Sequence, residues 1–249
     1  MELSNRTVLI TGGSDGIGLG LAEAFYRLNS RVIVCGRDKE KLSDLSTKYP
    51  GITALMCDIG DERQRENLAE EVLHRFPDLD ILINNAGIQR YIDLKKGYAE
   101  LKAGGSEIEI NFVAAVEITA LFITNLLKRP SAAVINVSSG LGFMPMRNTP
   151  VYNATKAAIH TYSLVLRKQL SDTSVKVMEI VPPMVDTGLN REGRDKAQLK
   201  FRGISISDYI PTVIRGLEEN IETIFHEGGE KIMTETRIES ETRLLAPSW

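Results

Sequence analysis

The 249-residue sequence has few cysteines and few histidines, and each shortage excludes a class of protein. Its two cysteines, Cys35 and Cys57, are too few for a disulfide framework and form no C-x-x-C pair, which indicates a reducing compartment. The three histidines, His74, His160 and His226, are far apart and lack the H-E-x-x-H spacing of zinc hydrolases. We therefore expect neither a disulfide-stabilised secreted domain nor a metal site.

Long apolar runs and an excess of charge of one sign are also missing. Runs such as Ala132-Ala133-Val134-Ile135 are far too short to span a bilayer, and the first residues do not read as a signal peptide. The formal net charge is −3, from 30 basic and 33 acidic residues, which gives no electrostatic reason to expect nucleic acid or an anionic membrane as a partner. We expect a cytoplasmic protein that binds no nucleic acid and does not insert into a membrane.

The sequence does contain a hydrophobic period that changes repeatedly along the chain. Continuous apolar runs of strand length alternate with stretches whose apolar residues recur at helical spacing. The apolar runs predict strands at residues 7–10, 31–35, 52–57, 79–83, 132–137, 175–181 and 221–225. The other stretches predict helices at residues 19–28, 39–48, 61–75, 108–128, 151–170 and 207–220, the last with Ser207 as its N-cap.

This alternation of strands and helices predicts the fold class. Strands that are apolar throughout are typical of a parallel sheet covered by helices on both faces. No linker, repeat or low-complexity tract divides the chain. We predict one α/β domain over residues 1–249, with a Rossmann-like, doubly wound parallel sheet of about seven strands. Residues 88–106 read as irregular, and 188–206 as a loop or lid over a substrate.

The turn between the first strand and the first helix is rich in glycine and reads Thr11-Gly12-Gly13-Ser14-Asp15-Gly16-Ile17-Gly18. Its glycines would let a diphosphate approach the backbone, at the positive end of a helix dipole. The spacing is G-x-x-x-G-x-G rather than G-x-G-x-x-G, and no Walker-type Gly-Lys-Ser/Thr follows. The turn could also bind nothing, but its place at the carboxyl edge of a parallel sheet favours a nucleotide.

The end of the second strand, Gly36-Arg37-Asp38, bears on which dinucleotide would bind. Sites specific for NAD place a carboxylate at this strand end, where it binds the ribose 2′-hydroxyl. This chain has Gly36 there, followed by Arg37, whose guanidinium could clamp a 2′-phosphate. The alternative is a solvated arginine paired with Asp38. We expect NADP(H) as the preferred cofactor, without excluding NAD(H).

Four short motifs now follow one another in order along nearly the whole chain. They are the turn 11–18, Asn84-Asn85-Ala86-Gly87 after the fourth strand, Ser138-Ser139 after the fifth, and Tyr152-Asn153-Ala154-Thr155-Lys156. Together they resemble the short-chain dehydrogenase/reductase family. Residues 88–89 with 93–97, and residues 182–190, also resemble, within that family, the DltE type of oxidoreductase that is encoded beside bacterial D-alanyl-lipoteichoic-acid genes.

The resemblance implies a catalytic set of four residues. Tyr152 would be the acid/base, and Lys156, on the same helix face, would favour its phenolate together with a cationic nicotinamide. Ser139, thirteen residues before the tyrosine, would bond the substrate oxygen, and Asn111 would anchor a water that relays protons to Lys156. Each has a structural alternative: an ordinary amphipathic pair, a strand-end turn and a buried amide bonded to backbone.

The resemblance also implies a set of cofactor contacts and a self-association. Asp58 and Ile59 would border the adenine ring, and Val185 and Thr187 would meet the carboxamide, although Pro182-Pro183 replaces the family's usual Pro-Gly just before them. The full set of expected cofactor-binding residues is Gly12, Ser14, Asp15, Gly16, Ile17, Gly18, Arg37, Asp58, Ile59, Asn85, Ala86, Gly87, Tyr152, Lys156, Val185 and Thr187. The helices at 108–128 and 151–170 would form the interfaces of a homodimer or homotetramer.

The function expected from these motifs is NADP(H)-dependent interconversion of a small-molecule carbonyl and a secondary alcohol. A catalytically silent NADP(H)-binding regulator is the main alternative, although it would have no chemical need for all four catalytic residues. A serine esterase using Ser138 or Ser139 ranks last, because no G-x-S-x-G elbow surrounds them.

Overall fold

A seven-stranded parallel sheet, with strand order 3-2-1-4-5-6-7, forms the centre of the protein in a computed structural model that describes residues 1–102, 106–190 and 203–234. The strands are β1 Thr7–Thr11, β2 Arg31–Gly36, β3 Thr53–Met56, β4 Ile81–Asn84, β5 Ala132–Val137, β6 Val175–Val181 and β7 Thr223–Phe225. The strand order reverses between β1 and β4, so the carboxyl ends of these strands flank the switch point where such sheets bind ligands. The predicted doubly wound sheet is confirmed.

Helices connect the strands and cover both faces of the sheet. They are α1 Gly16–Arg27, α2 Lys39–Lys48, α3 Glu62–Arg75, α4 Tyr98–Lys102, a π-helix Glu109–Val113, α5 Ala114–Leu126, α6 Pro150–Gln169 and α7 Ile206–Glu218. Short 3₁₀ turns lie at Leu94–Lys96, Gly140–Gly142 and Gly229–Thr234. Because the strands are buried on both faces, their side chains pack into two separate cores.

Each face of the sheet has its own apolar core. On one face, Phe25 of α1 and Tyr209 and Val213 of α7 pack against alternate strand residues such as Val8 and Ile10. On the other face, residues of α3 and α5 such as Val72, Ile118 and Phe122 pack against the remaining strand residues. This double coverage explains why the strands are apolar throughout rather than alternating.

Apart from shifts of one to three residues at the ends of elements, the structure differs from the predicted elements in four places. Residues 88–106, expected to be irregular, contain α4 and a 3₁₀ turn. The helix predicted at 108–128 contains a π-helical segment, Glu109–Val113, and ends at Leu126. The N-cap of α7 is Ser205 rather than Ser207, because the Ser205 hydroxyl accepts the hydrogen bond from the Asp208 N–H. The seventh strand is shorter than predicted, at Thr223–Phe225.

The loop predicted at 188–206 lies in large part outside the described residues. Its two ends are joined by backbone hydrogen bonds, since Asp186 donates to Ile204 at 2.8 Å and Ile204 donates to Met184 at 3.0 Å. The expectation that this loop covers a substrate stays a prediction.

One segment of the described chain, Glu109–Leu126, is long and apolar enough to cross a membrane by length and composition alone, with a mean hydropathy of 1.4. Its residues Ala114, Ile118, Phe122 and Leu126 are at most 1% exposed and belong to the core beneath the sheet. Packing against the sheet accounts for its apolar character.

Candidate active site

A cavity of about 510 Å³ opens at the carboxyl edge of the sheet, across the switch point. Fifteen of the sixteen expected cofactor-binding residues and Ser139 line it, from the glycine turn and the end of β2 to Tyr152, Lys156 and Thr187. The expected cofactor residue Gly18 and the expected catalytic residue Asn111 lie outside this lining. The cavity therefore brings the nucleotide motif and the reactive side chains, which are far apart in sequence, to one space.

The glycine turn packs so closely that it leaves no room for side chains at two positions. Gly12 has a φ of +64°, and a Cβ built on it would lie 2.9 Å from the Cα of Ala86. A Cβ on Gly18 would lie 2.3 Å from the Gly12 carbonyl oxygen and 2.4 Å from Nδ2 of Asn85. Gly18 thus allows close packing of the turn on the side away from the cavity. The residues before it in the turn line the cavity at the N-terminus of α1.

The Asn85 side chain holds the turn against the end of β4. Its Nδ2 donates to the carbonyls of Thr11 at 2.9 Å and Gly12 at 3.1 Å. The Thr11 hydroxyl accepts from the backbone N–H groups of Asn85 at 3.0 Å and Ala86 at 3.1 Å. The two strand-end motifs are therefore one hydrogen-bonded unit that builds the switch point and lines the cavity at the same time.

The Asp15 carboxylate caps the helix that a diphosphate would approach. Its Oδ1 accepts from the Gly16 N–H at 2.7 Å, and its Oδ2 forms an ion pair with Lys41 of α2. The sequence prediction missed Lys41, which also lines the cavity. Its position in the first turn of α2, four residues after Arg37, could have indicated that Lys41 lies at the same end of the cavity.

Arg37 projects at the end of the cavity formed by β2 and α2. It is exposed and forms no hydrogen bond or ion pair within the described part of the chain. The alternative pairing with Asp38 does not occur, because the Asp38 carboxylate caps α2 and accepts from the Lys41 N–H at 3.1 Å. The guanidinium is thus available to an anionic ligand, and Ser14 and Lys41 line the same end.

Asp58 and Ile59 form the wall next to that end. The Asp58 carboxylate accepts from the Gly60 N–H at 2.9 Å, and the backbone N–H of Asp58 donates to the Gln64 side chain at 2.9 Å. The side chain of Ile59 is 7% exposed. A tight turn therefore presents an apolar surface and backbone groups, which suits a flat heterocycle such as adenine.

Asn111 lies on the π-helix, one of the helical irregularities that often mark functional sites. Its Oδ1 accepts from the Ile88 N–H at 2.8 Å, and its Nδ2 donates to the Ile88 carbonyl at 2.9 Å and to the Thr155 hydroxyl at 3.1 Å. A Cβ built on Gly87 would lie 3.3 Å from the Asn111 Oδ1 and 3.6 Å from the Lys156 Nζ, so the two side chains converge there.

The structure separates the two serines that follow β5. The Ser138 hydroxyl bonds the Ile180 carbonyl at 3.4 Å and is buried. The Ser139 hydroxyl accepts from the Leu141 N–H at 3.1 Å and forms a hydrogen bond with Tyr152. Only Ser139 can therefore act together with the tyrosine on a bound oxygen.

Burial shifts the pKa values of Tyr152 and Lys156 in the directions that favour the neutral form of each side chain. It raises the pKa of Tyr152 to about 12, against a smaller lowering by the hydrogen bond from Ser139. It lowers the pKa of Lys156 to about 8, against a smaller raising by Glu179. The expected lowering of the tyrosine pKa by Lys156 is therefore not found. The lysine Nζ instead donates to the Val137 carbonyl at 2.8 Å and lies 5.6 Å from the centre of the Tyr152 ring.

The chain after β6 completes the cavity despite the second proline. The Pro182 carbonyl accepts from the Gly140 N–H at 3.0 Å, and Pro183 is exposed. Val185 is buried and Thr187 lies against the start of α1, and both line the cavity as expected. The Pro-Pro pair is thus accommodated without moving these two residues out of the site.

The sequence prediction missed three ionisable residues near the expected catalytic set. Glu107 is 1% exposed, contacts Arg90 and helps raise the pKa of Tyr152, and its own pKa is raised by burial. His160 of α6 and Glu179 of β6 form a pair at 2.8 Å. The available signal for Glu179 was a carboxylate inside an apolar strand, Val175–Val181.

Comparison with known proteins agrees with this geometry. A profile described as short chain dehydrogenase matches residues 6–198. The chain is 50% identical over 237 residues, 95% of its length and 94% of the relative's, to a Bacillus subtilis (strain 168) protein named uncharacterized oxidoreductase DltE. A short chain dehydrogenase from Burkholderia cenocepacia J2315 in complex with NADP matches at TM-score 0.84 and 25% identity, over 99% of this chain and 100% of that chain. One from Burkholderia phymatum in complex with NAD shares the fold at TM-score 0.85 and 18% identity, over 99% of this chain and 98% of that chain.

Proposed function

The chain belongs to the short-chain dehydrogenase family, as an oxidoreductase of the DltE type, and on that premise we propose that it interconverts a small-molecule carbonyl and a secondary alcohol with NADP(H). One observation carries the proposal. The Ser139, Tyr152 and Lys156 side chains line the same cavity as the glycine turn at Gly12–Gly18. A proton donor therefore shares one space with a turn suited to a diphosphate.

The residues present fit a bound dinucleotide. The close-packed glycine turn, the N-terminus of α1 and the turn at Asp58 would hold its diphosphate and adenine ends, and Val185 and Thr187 its carboxamide. When bound, the dinucleotide would supply or accept the hydride. The protein's own part is to position the substrate and to handle the proton.

In the reducing direction, the Tyr152 hydroxyl would give its proton to the substrate oxygen as the carbonyl becomes an alcohol. A tyrosine that burial keeps protonated is suited to this role as an acid. The Ser139 hydroxyl would hydrogen-bond the same oxygen and stabilise its developing negative charge. The Lys156 ammonium would stabilise the phenolate that remains, and Asn111 would hold the water from which the proton is restored.

Preference for NADP(H) rests on the end of the cavity next to β2. Arg37 there is without a partner in the described chain, and Lys41 and Ser14 lie beside it. A 2′-phosphate would bring its charge to two cations and a hydroxyl, whereas the Asp38 carboxylate at this end is already engaged as the cap of α2.

The test of the proposed chemistry is Tyr152→Phe. We expect turnover of any carbonyl substrate to fall by about a thousandfold or more, because the proton donor is lost, while NADPH affinity stays within about threefold. Thr161→Ala, a change at an exposed position of the same helix outside the cavity lining, serves as the comparison for folding. Full activity in the phenylalanine variant would refute the mechanism.

A broad carbonyl and alcohol screen decides between this enzyme and a catalytically silent regulator. Turnover with NADPH supports the enzyme. Tight NADPH binding without any turnover in the screen would favour the regulator. We further propose that the protein acts in the cytoplasm as a homodimer or homotetramer, as its family membership and the apolar surface of α6 suggest.

A further inference from the structure

A buried carboxylate lies inside strand β6, between β5 and the edge strand β7, and has no part in the proposed chemistry. Strand β6 reads Val-Lys-Val-Met-Glu-Ile-Val, and its Glu179 is 0% exposed. The Oε2 atom lies 2.8 Å from Nδ1 of His160 on α6. The other oxygen, Oε1, has no hydrogen-bond partner within the described residues. Burying a carboxylate is costly, so a group held in this way requires an explanation.

Its location relates it to the catalytic lysine. Helix α6 carries Tyr152, Lys156 and His160 at intervals of four, and these residues follow one another along one face of the helix. The Lys156 Nζ donates to the carbonyl of Val137, whose pairing partner on β6 is the residue after Glu179. Glu179 therefore lies beneath the turn of α6 that joins Lys156 to His160.

Among the charged groups of the described elements that pack on α6, Glu179 is the buried anion that faces Lys156. The elements packed on α6 are β5 and the 3₁₀ turn 140–142, which carry no ionisable residue, the π-helix, whose Glu109 is paired with Arg65, and β6. On β6, Lys176 is exposed and bonded to Asn220. On α6 itself, Tyr152 and His160 are the titratable neighbours, and Glu107 acts on Tyr152 from outside the helix.

We propose that Glu179, oriented by His160, is a positioning residue whose negative charge keeps the buried Lys156 ammonium protonated. Lys156 is 4% exposed and forms one backbone hydrogen bond, so water does little to stabilise its charge. A carboxylate on the neighbouring strand does so through the protein interior, where charges are weakly screened. In the proposed reaction this charge would in turn stabilise the Tyr152 phenolate, and this consequence alone rests on the proposed function.

A purely structural role for the pair makes a different prediction. If Glu179 and His160 only join β6 to α6, a change of the carboxylate alters the stability of the protein but not the protonation of Lys156. The deciding measurement is therefore the titration of the Lys156 side chain itself, which needs neither substrate nor turnover.

The experiment follows the ε-carbon signals of ¹³C-labelled lysine by NMR against pH, with the Lys156 signal assigned by its absence from Lys156→Met. Glu179→Gln keeps the size of the side chain and a hydrogen-bond acceptor for His160 but removes the charge. We expect the Lys156 midpoint to fall by about one pH unit, because loss of a nearby anion disfavours the ammonium. An unchanged midpoint overturns the proposal.

Two further variants complete the test. Glu222→Gln removes a carboxylate near the start of β7 that is 70% exposed, and it should leave the midpoint in place. His160→Gln keeps a donor for the Glu179 carboxylate but cannot carry a charge, so the Lys156 midpoint should stay in place or rise. This variant keeps the proposal testable even if Glu179→Gln does not fold. A fall in His160→Gln would show that the imidazole, not the carboxylate, sustains the lysine, and would overturn the proposal.

The consequence for catalysis is read separately from the pH profile of kcat. In Glu179→Gln the alkaline limb should move to lower pH by about one unit, with activity near pH 6 close to that of the original protein. If no substrate is turned over, the proposed function fails while the NMR titration still decides the role of Glu179.

Discussion

Tyr152 and Lys156 are shifted in opposite directions for one physical reason. Burial disfavours whichever form is charged, so it raises the pKa of the phenol to about 12 and lowers the pKa of the ammonium to about 8. The pair therefore holds a protonated acid next to a lysine that titrates close to neutral pH. Small changes in nearby charge can then move the lysine across its titration, which is why the buried Glu179 matters.

Arg37 allows a prediction about the cofactor at the level of one residue. Arg37→Ala should weaken NADPH binding by about tenfold to a hundredfold, because a charge-assisted hydrogen bond to the 2′-phosphate is lost, and change NADH binding by less than about threefold. Fluorescence titration of both cofactors measures this. Lys39→Ala, which removes an exposed cation of α2 outside the cavity lining, is the matched control. Equal NADPH affinity in Arg37→Ala would contradict the assignment.

Elements that depend on local pattern were well predicted from the sequence. The bounds of α2, β5 and β6 agree with the prediction, because apolar spacing and flanking polar residues are local signals. The π-helix at Glu109–Val113 was not predicted. It is held by contacts of its side chains with distant segments, such as those of Asn111 with Ile88 and Thr155, and no local pattern encodes them.

Arg65 of α3 joins three elements and gives a prediction at that scale. Its guanidinium is 2% exposed, pairs with Glu109 at 3.0 Å and Glu117 at 2.5 Å, and donates to the Ile59 carbonyl at 2.6 Å. Arg65→Met should lower the free energy of unfolding by about 2 kcal/mol, because the buried carbonyl loses its donor while both glutamates remain partly solvated.

Urea denaturation measures the effect of this change. Arg63→Met, at an exposed arginine of the same helix, should change the free energy of unfolding by less than about 0.5 kcal/mol. If both variants lose the same free energy of unfolding, the buried contacts of Arg65 contribute no more stability than an exposed arginine of the same helix.

The whole molecule presents apolar side chains on the surface of α6. Leu164 is 42% exposed and Val165 is 53% exposed, and Leu127, just after α5, is 42% exposed. We expect the protein to elute as a homodimer or homotetramer and Val165→Glu to shift it toward monomer by at least about tenfold in dissociation constant, because a charge would be buried at the interface. Light scattering coupled to size exclusion measures this.

Met56→Glu is the comparison, since Met56 is 57% exposed on the edge strand β3, distant from α6 in the strand order. This variant should keep the oligomeric state. A monomeric original protein at micromolar concentration would refute the interface.

Local patterns in the chain were sufficient for the fold class, the glycine turn and the order of the motifs, because each depends on residues close together in sequence. Folding alone decides that Ser139 and not Ser138 bonds Tyr152, that Asp38 caps α2 instead of pairing with Arg37, and that Glu179 lies under Lys156. Hydrogen-bond partners and states of ionisation depend on burial and on atoms from distant segments. Only the packed sheet brings those atoms together.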